Sequence, residues 1–483
     1  MAKVPKSNKR ALILERKLRR NLIIISLIAL FIKVFIIFRI QGFDWYQAGE
    51  GDLGRGLGEL LDNNYVPPNS WYGADGENYI RGVKGLIEEG FFSTEGKLSF
   101  WPAGYPILIW PVAELFKGQF FLVISLLQSI LYSFSTIWFV DELRKTRISK
   151  SCYVIAILLA FNPTLALNSI SIGYEVPIVS MSLISLAALI RYFRTQKRRV
   201  FTGEIFVASI SYAIASFMQP RLLLIATAFF FTWSIAKFRL LLITPFLIMT
   251  IAIVSLAPGL LILRNEKAQG FSAISTNLGA TMRLGAGPNT SGGYSSQASG
   301  TVECPEAEGN AAQADRAIVR CVLSWYVNNP GHAIRLFVNK ARFFWSPWYG
   351  PEANGTMARN PWNQIHPLKP FTQTESGFEL QFGTLGKFVS WLWMLSSLAL
   401  LALGTLHLWR LGDLERLLGV ISVMTFLLSL LTSMLTIGDH RFRLPCMGLI
   451  LFLQAVGFAR LFNKSQRFPV STSPLVSWPS IRR

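Results

Sequence analysis

Residues 71–111 read WYGADGENYIRGVKGLIEEGFFSTEGKLSFWPAGYPILIWP, and the rest of the chain is interpreted around them. The stretch is soluble-looking, yet apolar runs flank it. Asp75 and Glu77 stand within about one helical turn of Tyr79. A polar segment held at the mouth of an apolar bundle can act on something at the membrane surface. The expectation is that it forms the edge of an active site.

Composition sets the surroundings. The chain has 483 residues, 51% hydrophobic and 15% charged, and its mean hydropathy is +0.39, too apolar for a soluble enzyme of this size. An all-α, polytopic membrane bundle is expected. A formal charge of +20 would suggest nucleic acid in a soluble protein. Here Lys and Arg sit in short clusters beside apolar runs, a pattern that orients spans, so the expected partners are membrane lipids and no nucleic acid.

The first cluster, within the basic tail 1–20, precedes the apolar run 21–38, which is long enough to cross a bilayer and has no small-residue cleavage site after it. It reads as a retained signal anchor with its N-terminus in the cytoplasm. The polar segment 41–118 then lies outside, with 107–116 as an interfacial helix. Further spans are expected at 119–140, 151–170, 175–193, 204–218, 222–236 and 240–263, the pair around Pro220 being joined by a tight outer turn. Residues 264–387 form a second large external segment containing amphipathic helices. Spans at 388–409, 417–437 and 444–462 bring the total to about ten, and the tail 463–483 is basic, rich in Ser and Pro, and expected to be disordered in the cytoplasm.

Phosphate loops of the Walker type, HExxH, CxxC and Gly-x-Ser-x-Gly are missing, and the four His residues are scattered, so no cofactor or metal is indicated. What remains is carboxylates and arginines at the outer face. Asp75 or Glu77 can serve as a general base toward an acceptor hydroxyl, while Asp75 can equally cap the helix-like run that follows. Arg221, Arg264, Arg441 and Arg443 each fall at the outer end of a span. Any one of them can simply snorkel to headgroups, but four at the face where positive charge is usually depleted point to a lipid phosphate, which the guanidinium fork fits. Cys304 and Cys321 are the two cysteines outside the spans, and a disulfide between them is expected.

The order of these segments resembles a known family. DGENYIRGVKGLIEEGFF and WPAGYPILIWP are similar to the first external loop of bacterial membrane glycosyltransferases of the family 39 type, members of the C-type superfamily related to dolichyl-phosphate-mannose protein mannosyltransferases and bacterial lipid-linked sugar transferases. FNPTLALNSISIGYEVP, SFMQPRLLL, LAPGLLILRNEKAQGFSAISTNLGATMRLGAGPNTSGGY, PGHAIRLFVNKARFFWSP and HRFRLP follow in the same order as the family's later segments. The resemblance implies an inverting hexosyl or pentosyl transferase in a multi-pass cell (inner) membrane protein, with its site on the periplasmic or extracellular face. It also implies a polyprenyl-phosphate-linked sugar as donor and a lipid, glycan or protein as acceptor. Carried onto this chain, the first-loop base is Asp75, the hairpin carboxylate is Glu175 and the phosphate-side arginines are Arg264 and Arg441, with Tyr79, Arg221, Asn265 and Arg443 as further substrate-binding candidates. The family's base usually lies soon after the first span, whereas residues 39–74 intervene here, so Asp44 is a rival.

Two other readings stay open. A polysaccharide polymerase or ligase also carries large external loops. A transporter or flippase of lipid-linked intermediates would place charges within spans near the midplane, and the expected spans are nearly free of acids.

Overall fold

The computed structural model describes residues 6–38, 76–116, 119–195, 202–237, 240–293, 300–305, 308–347 and 383–462. Asp44, Asp75 and the tail 463–483 lie outside these residues, and Glu77 is described in its backbone only. The described chain is helical throughout, with no strand among the described residues.

In order, the helices are α1 (Lys6–Ile37), α2 (Gly76–Glu89), α3 (Gly104–Leu115), α4 (Phe120–Leu143), α5 (Cys152–Phe161), α6 (Pro163–Asn168), α7 (Glu175–Arg194) and α8 (Gly203–Met218). Then come α9 (Leu222–Lys237), α10 (Leu240–Gln269), α11 (Leu278–Leu284), α12 (Ala311–Asn328), α13 (Pro330–Trp345), α14 (Gly383–Leu411), α15 (Asp413–Leu435) and α16 (Leu444–Phe462).

Among the described residues, seven helices are long and apolar enough to cross a membrane: Arg16–Ile37, Phe120–Leu143, Glu175–Arg194, Pro245–Gln269, Trp391–Leu411, Asp413–Leu435 and His440–Phe462. The chain is therefore an all-α, polytopic membrane protein. Among the described residues the ten expected spans fall on these seven helices and on three shorter apolar ones, Ser149–Phe161, Gly203–Met218 and Leu222–Ala236. Helices α8 and α9 have 16 residues each, which reach about 24 Å against a hydrocarbon core of about 30 Å.

The run 151–170 is short for a different reason. Asn162 accepts a hydrogen bond from the Leu165 amide and Pro163 opens a new helix, so the segment breaks there. Proline has no amide hydrogen, which leaves the Leu159 carbonyl without its usual donor. The buried Tyr132 hydroxyl of α4 donates to that carbonyl at 2.5 Å. Gln128 and Ser125, one and two turns toward the N-terminus of α4, donate to the Ser171 and Ile170 carbonyls at 2.9 and 2.7 Å. A polar stripe on α4 thus satisfies a broken helix where no water is at hand.

One large apolar cluster runs through most of the helices, with smaller ones beside it. Helices α7 and α16 are its most buried members, each with 83% of its most apolar window inside the protein, whereas α1, α10 and α14 bury only 28% and turn most of their side chains to lipid. Sequence reading missed one charge in α1: Lys33 is buried, donates to Ser133 Oγ at 2.9 Å and lies 4.8 Å from the Tyr132 ring centroid. Residues 107–116, expected as an interfacial helix, lie in α3, which starts at Gly104 and buries Tyr105, Pro106, Ile109 and Ala113. Within residues 264–387, expected as the second external segment, α11, α12 and α13 gather a small separate core around Met282, Val322, Tyr326 and Leu336. Cys304 and Cys321 are joined there, Cα–Cα 5.9 Å and 17 residues apart, a loop whose closure contributes about 3 kcal/mol in the chain-entropy model.

Helices α14 and α16 approach closely at two glycines. A Cβ on Gly404 would overlap the Leu453 carbonyl, and one on Gly457 would overlap the Leu400 carbonyl. Small residues let membrane helices approach and gain packing that the hydrophobic effect cannot supply in lipid. Gly457→Leu should lower the thermal midpoint of the detergent-solubilised protein by several degrees. Gly259→Leu, where an added Cβ meets nothing within 4 Å, should leave it unchanged. Equal midpoints for both variants would show that the contact does not hold the pair.

Candidate functional site

The site is built where the N-terminus of α7 meets the turn before α16. Residues 169–174 connect α6 to α7, and the polar stripe on α4 fixes them from below. Tyr105 of α3 fixes them from the side: its hydroxyl accepts from the Gly173 amide at 2.8 Å and donates to Gln128 Oε1 at 3.2 Å. Glu175, the first residue of α7, is 2% exposed and accepts from Arg441 Nε at 2.8 Å. Acid at a helix N-terminus also complements the helix dipole.

Arg441 belongs to a 3₁₀ turn, His440–Arg443, that leads into α16. Asp439 caps the turn by accepting from the Arg441 amide at 2.8 Å. His440 is fully buried; its Nδ1 stands 3.4 Å from Asp439 Oδ1, and neither ring nitrogen has a hydrogen-bond partner among the described residues.

Three tyrosines wall the site. Tyr79 lies edge-on to Tyr105 and Tyr174, with ring centroids 5.3 and 5.8 Å away, so α2 docks its buried face onto the Glu175 turn. The Arg441 guanidinium is 6.0 Å from the Tyr174 ring centroid, and Gln219 Nε2 donates to the Tyr174 hydroxyl at 3.4 Å. Arg221, between α8 and α9, stacks over Phe442 at 4.6 Å. Among the described residues its guanidinium makes no hydrogen bond and no ion pair. Desolvation, with the neighbouring Arg441 charge adding to it, pushes its pKa below the ordinary arginine value, a cost that a bound anion would relieve.

Of the candidates named from sequence, Tyr79, Glu175, Arg221 and Arg441 are therefore brought together. Arg264, Asn265 and Arg443 are placed differently. Arg264 is completely buried and donates to the Phe91 and Leu98 carbonyls, both at 3.3 Å, to the Ser93 carbonyl and to Asn265 Oδ1 at 2.7 Å. Asn265 in turn donates to the Ala273 and Ile274 carbonyls at 2.8 and 3.1 Å. Together they tie residues 91–98 to the end of α10. Arg443 donates to the Phe344 and Ser346 carbonyls at 3.1 and 2.9 Å and lies over Trp345 and Trp393.

Sequence reading missed Tyr105, Tyr174, Gln219, Asp439 and Lys340. Lys340 of α13 is fully buried and donates to the Tyr326 hydroxyl at 2.8 Å and the Thr436 carbonyl at 2.6 Å, just before the Asp439 turn. Burial lowers its pKa to about 7, and both hydrogen bonds can be supplied by a neutral amine. Its signal was the small residues around it: side chains on Gly285 and Gly438 would collide with the Thr436 carbonyl and the Lys340 backbone. No group of three or more His, Cys, Asp or Glu able to hold a metal occurs among the described residues.

No family model matches the chain, and no curated protein matches it. Among solved structures it is similar to the archaeal oligosaccharyltransferase AglB from Archaeoglobus fulgidus, determined in complex with an inhibitory peptide and a dolichol-phosphate. The two share 14% identity at a TM-score of 0.45, over 91% of this chain and 50% of that one. The chain thus spans half the length of the enzyme it matches.

The Glu175–Arg441 pair can be tested alone. Removing one partner of a buried pair leaves an uncompensated charge, a cost of about 3–5 kcal/mol, whereas replacing both with apolar groups is far milder. Glu175→Gln and Arg441→Met should each lower thermal stability more than the double variant does. Additive losses would mean that the pair is not coupled.

Proposed function

We propose that the protein transfers a sugar from a polyprenyl-phosphate carrier to an acceptor hydroxyl or amine at the Glu175–Arg441 end of the bundle, with inversion. The observation that carries this reading is Arg221, a half-buried guanidinium that makes no hydrogen bond among the described residues, set beside Arg441 where α7, α8, α9 and α16 meet. The polyprenyl tail keeps the donor at the bilayer surface, so its phosphate arrives at the span ends. Two guanidiniums there suit a phosphate that gains charge as it leaves.

In the reaction, a carboxylate takes the proton of the acceptor O–H and the oxygen attacks the anomeric carbon from the face opposite the phosphate. The bond from that carbon to the phosphate oxygen breaks, and its electron pair leaves with the lipid phosphate. Asp75 is assigned as the base, with Asp44 as its rival and Glu77 as a third candidate. Asp75 immediately precedes α2, whose Tyr79 already touches the tyrosine wall. Glu175 holds Arg441 in place, and Tyr105 and Tyr174 shape the wall against which the sugar lies. Arg264, Asn265 and Arg443 act as positioning residues through the backbone carbonyls they hold.

The outer face of a cell (inner) membrane as location follows from the charge clusters and is part of the proposal. A flippase reading gains support from Lys33, a buried amine within α1. Steady-state transfer assays separate the two. Arg221→Ala should raise KM for the lipid donor and lower kcat/KM by about a hundredfold, and Arg221→Lys should restore part of it, because a point charge lacks the planar fork. Asp75→Asn should still bind donor but transfer about a hundredfold more slowly. Wild-type transfer by Arg221→Ala at every donor concentration would remove the phosphate role. Full activity in Asp75→Asn with loss in Asp44→Asn would move the base into residues 39–74.

A further inference from the structure

Lys340 is a buried amine to which the sugar reaction assigns no step, and its surroundings show what it holds. Its stem runs past three glycines from separate places in the chain. A Cβ on Gly438 would come within 2.5 Å of the Lys340 Cα, one on Gly292 within 3.1 Å of its Cγ, and one on Gly285 within 3.2 Å of its Cε. Glycine at these positions lets the 285–292 loop and the turn before α16 close on the lysine. The Gly438 amide donates to the Gly292 carbonyl at 2.9 Å beside it. At its tip, Nζ donates to the Tyr326 hydroxyl of α12 at 2.8 Å and to the carbonyl of Thr436, the C-cap of α15, at 2.6 Å. Among the described residues no carboxylate pairs with it.

A lysine at the C-terminal end of a helix ordinarily complements the helix dipole from water. Lys340 is 0% exposed, so it gives up its hydration for two neutral acceptors, and burial lowers its pKa to about 7. What that arrangement secures lies a few residues along the chain. Arg441 stands between Thr436 and Arg443, and α13 is tied to both. Lys340 holds the Thr436 carbonyl, and Arg443 donates to the Phe344 and Ser346 carbonyls at the far end of the same helix, at 3.1 and 2.9 Å. Between these ties, Ser433 Oγ donates to the Ile437 carbonyl at 2.8 Å and Asp439 caps the 3₁₀ turn. The segment that presents Arg441 to Glu175 is therefore fixed against α13 on both sides of Arg441.

We infer that Lys340 is a positioning residue: by holding the Thr436 carbonyl it sets where the 436–443 segment leaves α15, and so keeps Arg441 in register with Glu175. Its consequence for catalysis rests on the sugar-transfer reading, whereas its hold on the segment does not.

The test uses the full-length protein in nanodiscs, with hydrogen–deuterium exchange read peptide by peptide and transfer kinetics measured beside it. Lys340→Met keeps the stem and removes the donor. Amides of 436–443 should then exchange about tenfold faster, while those of α12 stay protected as in wild type. A lysine that only filled the α11–α13 core would loosen α12 as well. Lys340→Gln, a neutral donor like the buried amine, should return exchange in 436–443 most of the way to wild type, which packing alone would not do. In the transfer assay Lys340→Met should raise KM for the lipid donor more than it lowers kcat, and Lys340→Gln should recover part of the loss. Should Lys340→Met fail to fold, Gly438→Ala carries the same test, because its methyl would press on the Lys340 Cα and speed the same amides. Wild-type exchange of 436–443 in these variants, or an equal loss of protection in α12, would overturn the inference. Exchange reads the segment itself, so a wild-type protein that transferred no sugar would count against the sugar reading alone.

Discussion

An ion pair between residues 266 positions apart ties together the end of the bundle where α7 and α16 begin. Glu175 opens α7 and Arg441 sits in the turn that opens α16, the two helices with the least lipid exposure. Neither charge is tolerable there alone. Once they are paired, the 169–174 turn, the tyrosine wall and the loop carrying Gln219 and Arg221 all have something to pack against. The same economy governs the membrane interior, where Pro163 frees the Leu159 carbonyl and Tyr132 satisfies it.

Much of this architecture was legible in the sequence because the hydrocarbon core imposes a length rule that composition reveals directly. The long apolar runs became seven full helices. Where the reading went wrong, the reason is local chemistry. Residues 151–170 looked like one span because their hydropathy is unbroken, but Asn162 and Pro163 form a cap and a helix start, and a cap outweighs hydropathy when a neighbouring helix can satisfy the freed carbonyls. The sixteen-residue helices flanking Pro220 were expected as spans and are shorter than the seven full-length helices.

The site was legible by residue type more than by role. Four outer arginines stood out from the sequence, and nothing in it separated those that bind backbone from those that face open space. Arg264 finds its carbonyl partners more than 160 positions away, in the polar segment 91–98. Arg443 finds its own about 100 positions away. Arg221 differs from both: it stacks on Phe442 and makes no hydrogen bond among the described residues, a difference that appears only in three dimensions. Tyr105 and Tyr174 carry no signal in the sequence, and only their contacts with the Glu175 turn mark them.

A transferase that draws its donor from the bilayer needs cations at the span ends, rigid enough to keep their geometry as the phosphate departs. The Glu175–Arg441 pair supplies the rigidity and Arg221 supplies an uncommitted fork. The direct measurement is a cryo-electron microscopy structure of the full-length protein in nanodiscs with a short-chain polyprenyl phosphate. The account predicts phosphate density within hydrogen-bond distance of the Arg221 guanidinium and beside Arg441, with the Glu175–Arg441 pair intact. Phosphate density elsewhere, with Arg221 still making no polar contact, would contradict it.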